Sequence, residues 1–387
     1  MPFTWRNGVK MEKSRTTWID SLKGIAICGI VMVHNSASSL PGLFGKIENT
    51  GKNGVQLFFL LSAYLTFVSL ERFFDDKNNS GKVLKATAFR QFIPWWAGKF
   101  IRLIPLYYLA LLIYALFQGG SSYWLGTQGH ITAGNFLAHL FFLHGLFPHY
   151  ADSIIGVEWY LGTLAIFYLL APFLYKFIDS LEKSAAVFLL SSFLCRILTY
   201  FIYRIFPEGE DSYIYSAYAG TFNFFAQFPV LIAGIMLYFL FRSRILEKIS
   251  KPKAFSYVLL IFSMVMIAGQ TFGGNSLFLI SSETLFGLWF FLIAIGQKIC
   301  PLVWTDNKLW EILGKYSYPI YLFHFLILSI YDKMGIPSTG NIFMDWSIKY
   351  VTALLSSLAI SIILTKAYDR PSAAFLKKIF ENIKRLS

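Results

Sequence analysis

The amino-acid sequence predicts an all-α fold, a polytopic transmembrane helical bundle. Three observations carry that prediction. Hydrophobic residues make up 56% of the 387 positions and charged residues only 14%, too few charges to cover a water-facing surface. The tracts 103–151, 212–241 and 254–282 contain no Asp, Glu, Lys or Arg, and each exceeds the roughly 20 residues that a spanning helix needs. The period-two alternation of a membrane barrel is missing. Within the bilayer core every backbone group must be paired inside the segment, so the helix is the expected spanning element.

In chain order, the apolar segments 20–38, 54–72, 100–118, 159–176, 185–205, 222–241, 254–272, 277–297, 316–331 and 347–366 read as spans. An eleventh, 133–147, is short and is followed by Pro148 and polar residues. Charge decides its status. If it does not cross, 28 of the 34 Lys and Arg fall on one side and 5 on the other, with Arg196 inside a span. If it crosses, the split becomes 15 against 18. Basic residues concentrate in cytoplasmic loops, so ten spans with both termini cytoplasmic are expected. Segment 133–147 is then a re-entrant or interfacial helix on the outer side, and the acidic loop Glu208–Asp211 also lies outside. One domain covers 1–387, with a core of about 16–371 and a basic cytoplasmic tail, 372–387.

The net charge of +13 follows from this loop bias, and no nucleic-acid partner is expected. Cys28, Cys195 and Cys300 lack metal or redox spacing. The apolar run from Gly24 to the small residues Ser36–Ser39 has the look of a secretory signal, but cleavage there would remove the residues on which the functional reading below rests, so none is expected. His139, His144 and His149 recur every five residues, 140° apart on a helix, so no metal site is expected.

Lys23 and His34 are eleven residues apart, 20° beyond three full turns, and so share one helix face about 16 Å apart along the axis. That suits a long ligand with an anionic head and a reactive far end, the shape of a coenzyme A thioester. A snorkelling Lys with a hydrogen-bonded structural His is the plainer alternative. Lys99 and Arg102, at i and i+3, share a face at the start of the third span. Arg196 lies deep in the fifth span, where it either pairs with Glu283 or stabilises developing negative charge. Trp159, Tyr168 and Tyr318 line a substrate cavity in this reading, although abundant aromatics also serve packing. Ser62 has no evident base beside it.

The motifs resemble the acyltransferase-3 family of integral-membrane O-acyltransferases. Lys23 and His34, with ten residues between them, are similar to its opening Arg–His motif, with Lys in place of Arg. The stretch from Gly54 through Ser62 resembles its second-helix signature, with Ala63 where Gly is usual. Lys99-Phe-Ile-Arg102 followed by Pro105 resembles its basic third-helix motif, and Trp159 to Tyr168 with Pro172 its tryptophan motif. Leu313 to His324 is similar to the late His-containing helix, and Tyr368-Asp-Arg-Pro371 to the closing motif, with Asp for Glu. Leu164 stands where many members carry Glu; Glu158 precedes the tryptophan instead.

The resemblance implies transfer of an acyl group, commonly acetyl, from cytoplasmic acyl-CoA to a hydroxyl of a surface or lipid-linked glycan. Acetyl-CoA is then a co-substrate, no metal or prosthetic group is needed, and the partners are the bilayer, the donor and the glycan. Lys23, Lys99 and Arg102 would hold the donor's phosphates. His34 would act as general base. His324, at similar depth, either lines the same cavity or is a packed core residue. A multi-pass protein of the bacterial cytoplasmic membrane is expected. Transport or flipping of a polysaccharide or lipid-linked sugar is the competing function, and it predicts no dependence on acyl-CoA.

Overall fold

The structure, a computed structural model, describes residues 17–35, 40–79, 89–118, 131–205, 212–274 and 279–386. The regular elements among these residues are all helical. The first half contains α1 (Thr17–His34), α2 (Gly42–Thr50), α3 (Gly54–Asn79), α4 (Ile93–Gln118), α5 (Ala133–Leu140), α6 (Trp159–Phe177) and α7 (Leu181–Ile205). The second half contains α8 (Ser212–Ala217), α9 (Phe224–Arg242), α10 (Pro252–Gly273), α11 (Ser282–Ile299), α12 (Lys308–Lys315), α13 (Ser317–Lys333), α14 (Ile342–Leu364) and α15 (Arg370–Leu386).

Among the described residues, eight helical stretches are long and apolar enough to cross a membrane. They contain α1, α3, α4, α6, α7, α9, α10 and α14. The other two expected spans are the helices α11 and α13, of 18 and 17 residues. Segment 133–147 contains the eight-residue α5, which rises only about 12 Å and cannot cross a ~30 Å core. It bends back at Phe142, the one non-glycine described residue with positive φ (58°). The Phe142 ring packs on Phe100 and Tyr107 of α4, so the segment folds back against that helix.

Two boundaries differ from the sequence reading. α1 ends at His34 rather than continuing to 38, so His34 stands at the end of its helix; residues 36–39 lie outside the described residues. The tail from 372 belongs to a helix, α15, with apolar and basic faces and contacts to α4. Glu208–Asp211 lies outside the described residues.

Glycines set the closest crossings. Gly24 faces the backbone of Trp310, and Gly314 faces the carbonyl of Asp20, leaving no room for a Cβ at either. These contacts lock α12 across the start of α1, and α13, which follows directly, runs beside α1. Gly29 lies against Gly51 at 3.3 Å from its would-be Cβ, which draws the start of α3 onto α1. α13 touches both α1 and α4. The buried core runs through α1, α3, α6, α9 and α13, whereas α7 and α10 turn apolar faces outward (Leu189 69% and Val265 61% exposed). In a membrane those faces meet lipid.

Candidate active site

The contact between α1 and α13 brings two histidines together. His34 Nδ1 lies 2.9 Å from His324 Nε2, and the rings stack with centroids 5.1 Å apart. The ring of Phe325 covers both, 4.4 Å from His34 and 4.8 Å from His324. His324 is fully buried and His34 half-buried. The hydrogen bonds assign the tautomers. His324 Nδ1 faces the Tyr321 carbonyl at 2.8 Å, so Nδ1–H donates there and Nε2 is left as an acceptor. His34 then donates Nδ1–H to that acceptor, which leaves the lone pair of His34 Nε2 to take a proton. This is the arrangement of a base oriented by a second group.

From the histidines a line of polar aromatic groups runs between α3, α6 and α13. Tyr321 is 6.1 Å from His324 and donates its hydroxyl to the Val157 carbonyl at 2.6 Å. Tyr160 lies 5.5 Å from Tyr321, and its hydroxyl bonds Ser62 Oγ at 3.0 Å. Further along, Tyr318 donates to the Leu103 carbonyl (2.9 Å), and Tyr168 accepts the Trp96 indole at its own carbonyl (2.8 Å). Lys99 Nζ sits 5.0 Å from the Trp95 ring and 5.3 Å from the Tyr168 ring, a cation–π cradle. Arg102 is exposed one turn beyond, within electrostatic reach of Lys99 and Tyr168. Lys99, Arg102, Tyr168 and Tyr318 therefore occupy one region. Lys23 is half-buried on α1 beside Asp20.

A family model described as an acyltransferase domain, that of acyltransferase-3, matches residues 16–366. The chain belongs to the acyltransferase-3 family. It is 24% identical over 371 residues to a protein named "Putative O-acetyltransferase" in Staphylococcus aureus strain COL, an alignment covering 87% of this chain and 55% of the relative. It is 23% identical over 381 residues to O-acetyltransferase OatA of Staphylococcus aureus strain NCTC 8325, covering 92% of this chain and 58% of that protein. The chain thus spans little more than half the length of the curated relatives it matches. No solved structure matches it.

Other residues singled out in this family member's sequence stand apart from the histidine pair. Trp159 stacks on Phe222 at 5.0 Å and packs against Phe59, one residue before the Tyr160 that reaches Tyr321. Arg196 is exposed on α7, where it lines a groove of about 550 Å³ with Tyr200, Ser216 and Gly220. Glu283 accepts the Thr221 hydroxyl at 3.3 Å. Among the described residues no three His, Cys, Asp or Glu converge as metal ligands. His149 is 2.9 Å from the Tyr215 hydroxyl, and His139 stacks on His144 at 4.5 Å.

Sequence reasoning missed how Glu158 is used. Its Oε1 accepts the backbone N–H of Ile154 (2.6 Å) and Ile155 (3.1 Å), and its Oε2 those of Gly156 (2.7 Å) and Val157 (3.0 Å). His139 Nε2 completes the set at 3.2 Å while its Nδ1 faces the Asn135 carbonyl at 2.8 Å. Burial pushes the Glu158 carboxyl up, but His139 and the loop N–H groups outweigh it and hold the pKa at about 2. Burial and the adjacent Glu158 charge push neighbouring Asp152 up. Every acceptor site of Glu158 is therefore occupied in shaping the loop that anchors Tyr321. The only signal in the sequence was a carboxylate next to the tryptophan motif, within an otherwise apolar stretch.

Proposed function

We propose that this chain is a membrane O-acetyltransferase that moves an acetyl group from acyl-CoA to a hydroxyl of a cell-surface or lipid-linked glycan. One observation carries the proposal: the His34–His324 pair, with His34 Nε2 available as a base, stands at the end of a polar tract that begins at the cations Lys99 and Arg102. In this reading Lys99, Arg102 and Lys23 attract the donor's phosphates. His34 Nε2 takes the acceptor's hydroxyl proton as the oxygen attacks the thioester carbonyl. The carbon–sulfur bond then breaks, and the proton passes from His34 to the departing thiolate. His324 holds the tautomer that this base needs. Proton transfer of this kind is worth about 10²–10⁴-fold.

The charge bias supports ten spans with both termini cytoplasmic, which puts the Lys99 end on the side where acyl-CoA is made and His34 toward the outer face. A bacterial cytoplasmic membrane fits this layout. The relatives' name, O-acetyltransferase, supports acetyl as the group moved. The test compares cells with the wild-type gene, the His34→Ala variant, or no copy, and measures alkali-released acetate from purified surface glycan. Loss of acetate in both altered strains is expected. Unchanged acetate on deletion would overturn the assigned acceptor class, and full acetate with His34→Ala would overturn the mechanism.

A further inference from the structure

α14 and the turn after it carry a row of polar groups that the site described above does not use. Ser357, Ser361, Thr365 and Asp369 recur every four residues, and each has a side-chain oxygen sealed from solvent with no hydrogen-bond partner. Ser357 and Ser361 are 0% exposed. Serines elsewhere in these helices satisfy themselves: Ser191 and Ser192 both bond the Phe188 carbonyl, and Ser263 that of Leu259 at 2.7 Å. A serine in an apolar helix usually closes on the carbonyl one turn back. Four consecutive members of one row that do not are a departure that calls for a partner.

The row has a definite place. Lys349 of α14 pairs with Asp332 of α13 at 2.6 Å and sets the register of these two antiparallel neighbours. Eight residues inward from that pair, about 12 Å, stand Ser357 on one helix and His324 on the other. Ala353, one turn before Ser357, is fully buried, and Tyr350 bonds the Cys28 carbonyl of α1, so this face looks into the bundle. From Ser357 to Asp369 the row descends about 18 Å. Its lower end comes within electrostatic reach of Tyr318, whose hydroxyl bonds Leu103, the neighbour of Arg102. The row thus connects the level of the histidine pair with the level of the basic cluster.

A coenzyme A thioester with its phosphates at one end of this distance and its sulfur at the other would place its linker, with amides and a hydroxyl, in the low-polarity interior. Each such group costs free energy there unless it finds a hydrogen bond. The lysines and arginine supply none at that depth. We propose that Ser357, Ser361, Thr365 and Asp369 form the wall that hydrogen-bonds the amide-bearing linker of the donor. The hydroxyls donate or accept as required, and the Asp369 carboxylate accepts an amide N–H. This inference rests on the donor proposed above.

The experiment measures binding by calorimetry to the full chain in lipid nanodiscs, with two probes: coenzyme A, and 3′-phospho-ADP, which keeps the phosphates but lacks the linker. The expected result is tighter binding of coenzyme A than of the fragment by wild type. In Ser357→Ala/Ser361→Ala, coenzyme A affinity should fall at least about fivefold, with fragment affinity unchanged. Ser357→Thr/Ser361→Thr, which keeps both hydroxyls, should restore a good part of the loss. Wild-type affinity for coenzyme A in the Ala pair, with normal thermal unfolding, would overturn the proposed wall and leave the donor standing; the row would then hold only water. Absence of binding of either probe to wild type would overturn the donor and the wall together.

Discussion

The sharpest consequence of the site geometry concerns His324, which should act by holding His34 rather than by taking the proton itself. Replacing it with Phe removes the acceptor at 2.9 Å from His34 Nδ1 and leaves an N–H facing apolar surroundings. Stranding a buried donor costs about 1–3 kcal/mol, and the productive tautomer loses its preference by the same amount. At about 1.4 kcal/mol per tenfold, kcat/KM should fall about 5- to 150-fold. His34→Ala, which removes the proposed base, should cost about 10²–10⁴-fold. His324→Gln separates the two roles. Its amide oxygen can accept from His34 Nδ1, yet it cannot carry a proton at that atom, so much of the lost rate should return. The assay follows thiol release from acetyl-CoA in nanodiscs supplied with membrane extract as the acceptor source. Thermal unfolding of each variant serves as the folding control. A Gln variant as inactive as His34→Ala would refute the positioning role and make His324 a proton carrier.

Further outcomes follow from the packing and from the charge bias of the loops. Glu158→Gln places an amide against four backbone N–H donors and strips His139 of its partner, so stability should drop by about 3–5 kcal/mol, read by thermal unfolding in detergent at pH 7. Because the Glu158 carboxyl is held at about 2, below its ordinary 4.5, its stabilisation is complete above pH 4.5 and fades as pH falls toward 2. Wild type should therefore lose stability over that interval with a steeper slope than the Gln variant. Gly314→Ala drives a methyl into the Asp20 carbonyl, should cost about 1–3 kcal/mol by overpacking, and should lower activity by shifting α13, whereas Gly98→Ala, with open space around its Cβ, should pack without strain. A single cysteine at Lys248 should react with a membrane-impermeant maleimide only after the cells are opened; labelling in intact cells would reverse the assigned orientation.

Much of the architecture was legible from hydropathy and charge alone. The segment 159–176 is helix Trp159–Phe177, 54–72 lies within Gly54–Asn79, and 222–241 is matched by Phe224–Arg242. These agree because a spanning helix must be long, apolar and self-paired, and all three properties are local. Loop charge predicted 133–147 to be non-crossing, and the only α-helix in that segment is the eight-residue α5. The positions of Lys23, His34, Lys99, Arg102 and His324 in the family motifs were also plain. What the sequence left open is who meets whom. His34 and His324 are 290 residues apart, and periodicity says which face a residue occupies but not which helix lies opposite. Glycines that admit backbone contact at Gly24 and Gly314, together with the Lys349–Asp332 pair, make that choice. Composition and charge thus determined a helical membrane protein and its expected orientation. Only tertiary packing decided that two distant imidazoles share one hydrogen bond, that Glu158 is spent on a loop, and that a row of unpaired oxygens stands beside them, because such contacts depend on helix crossings that no local pattern encodes.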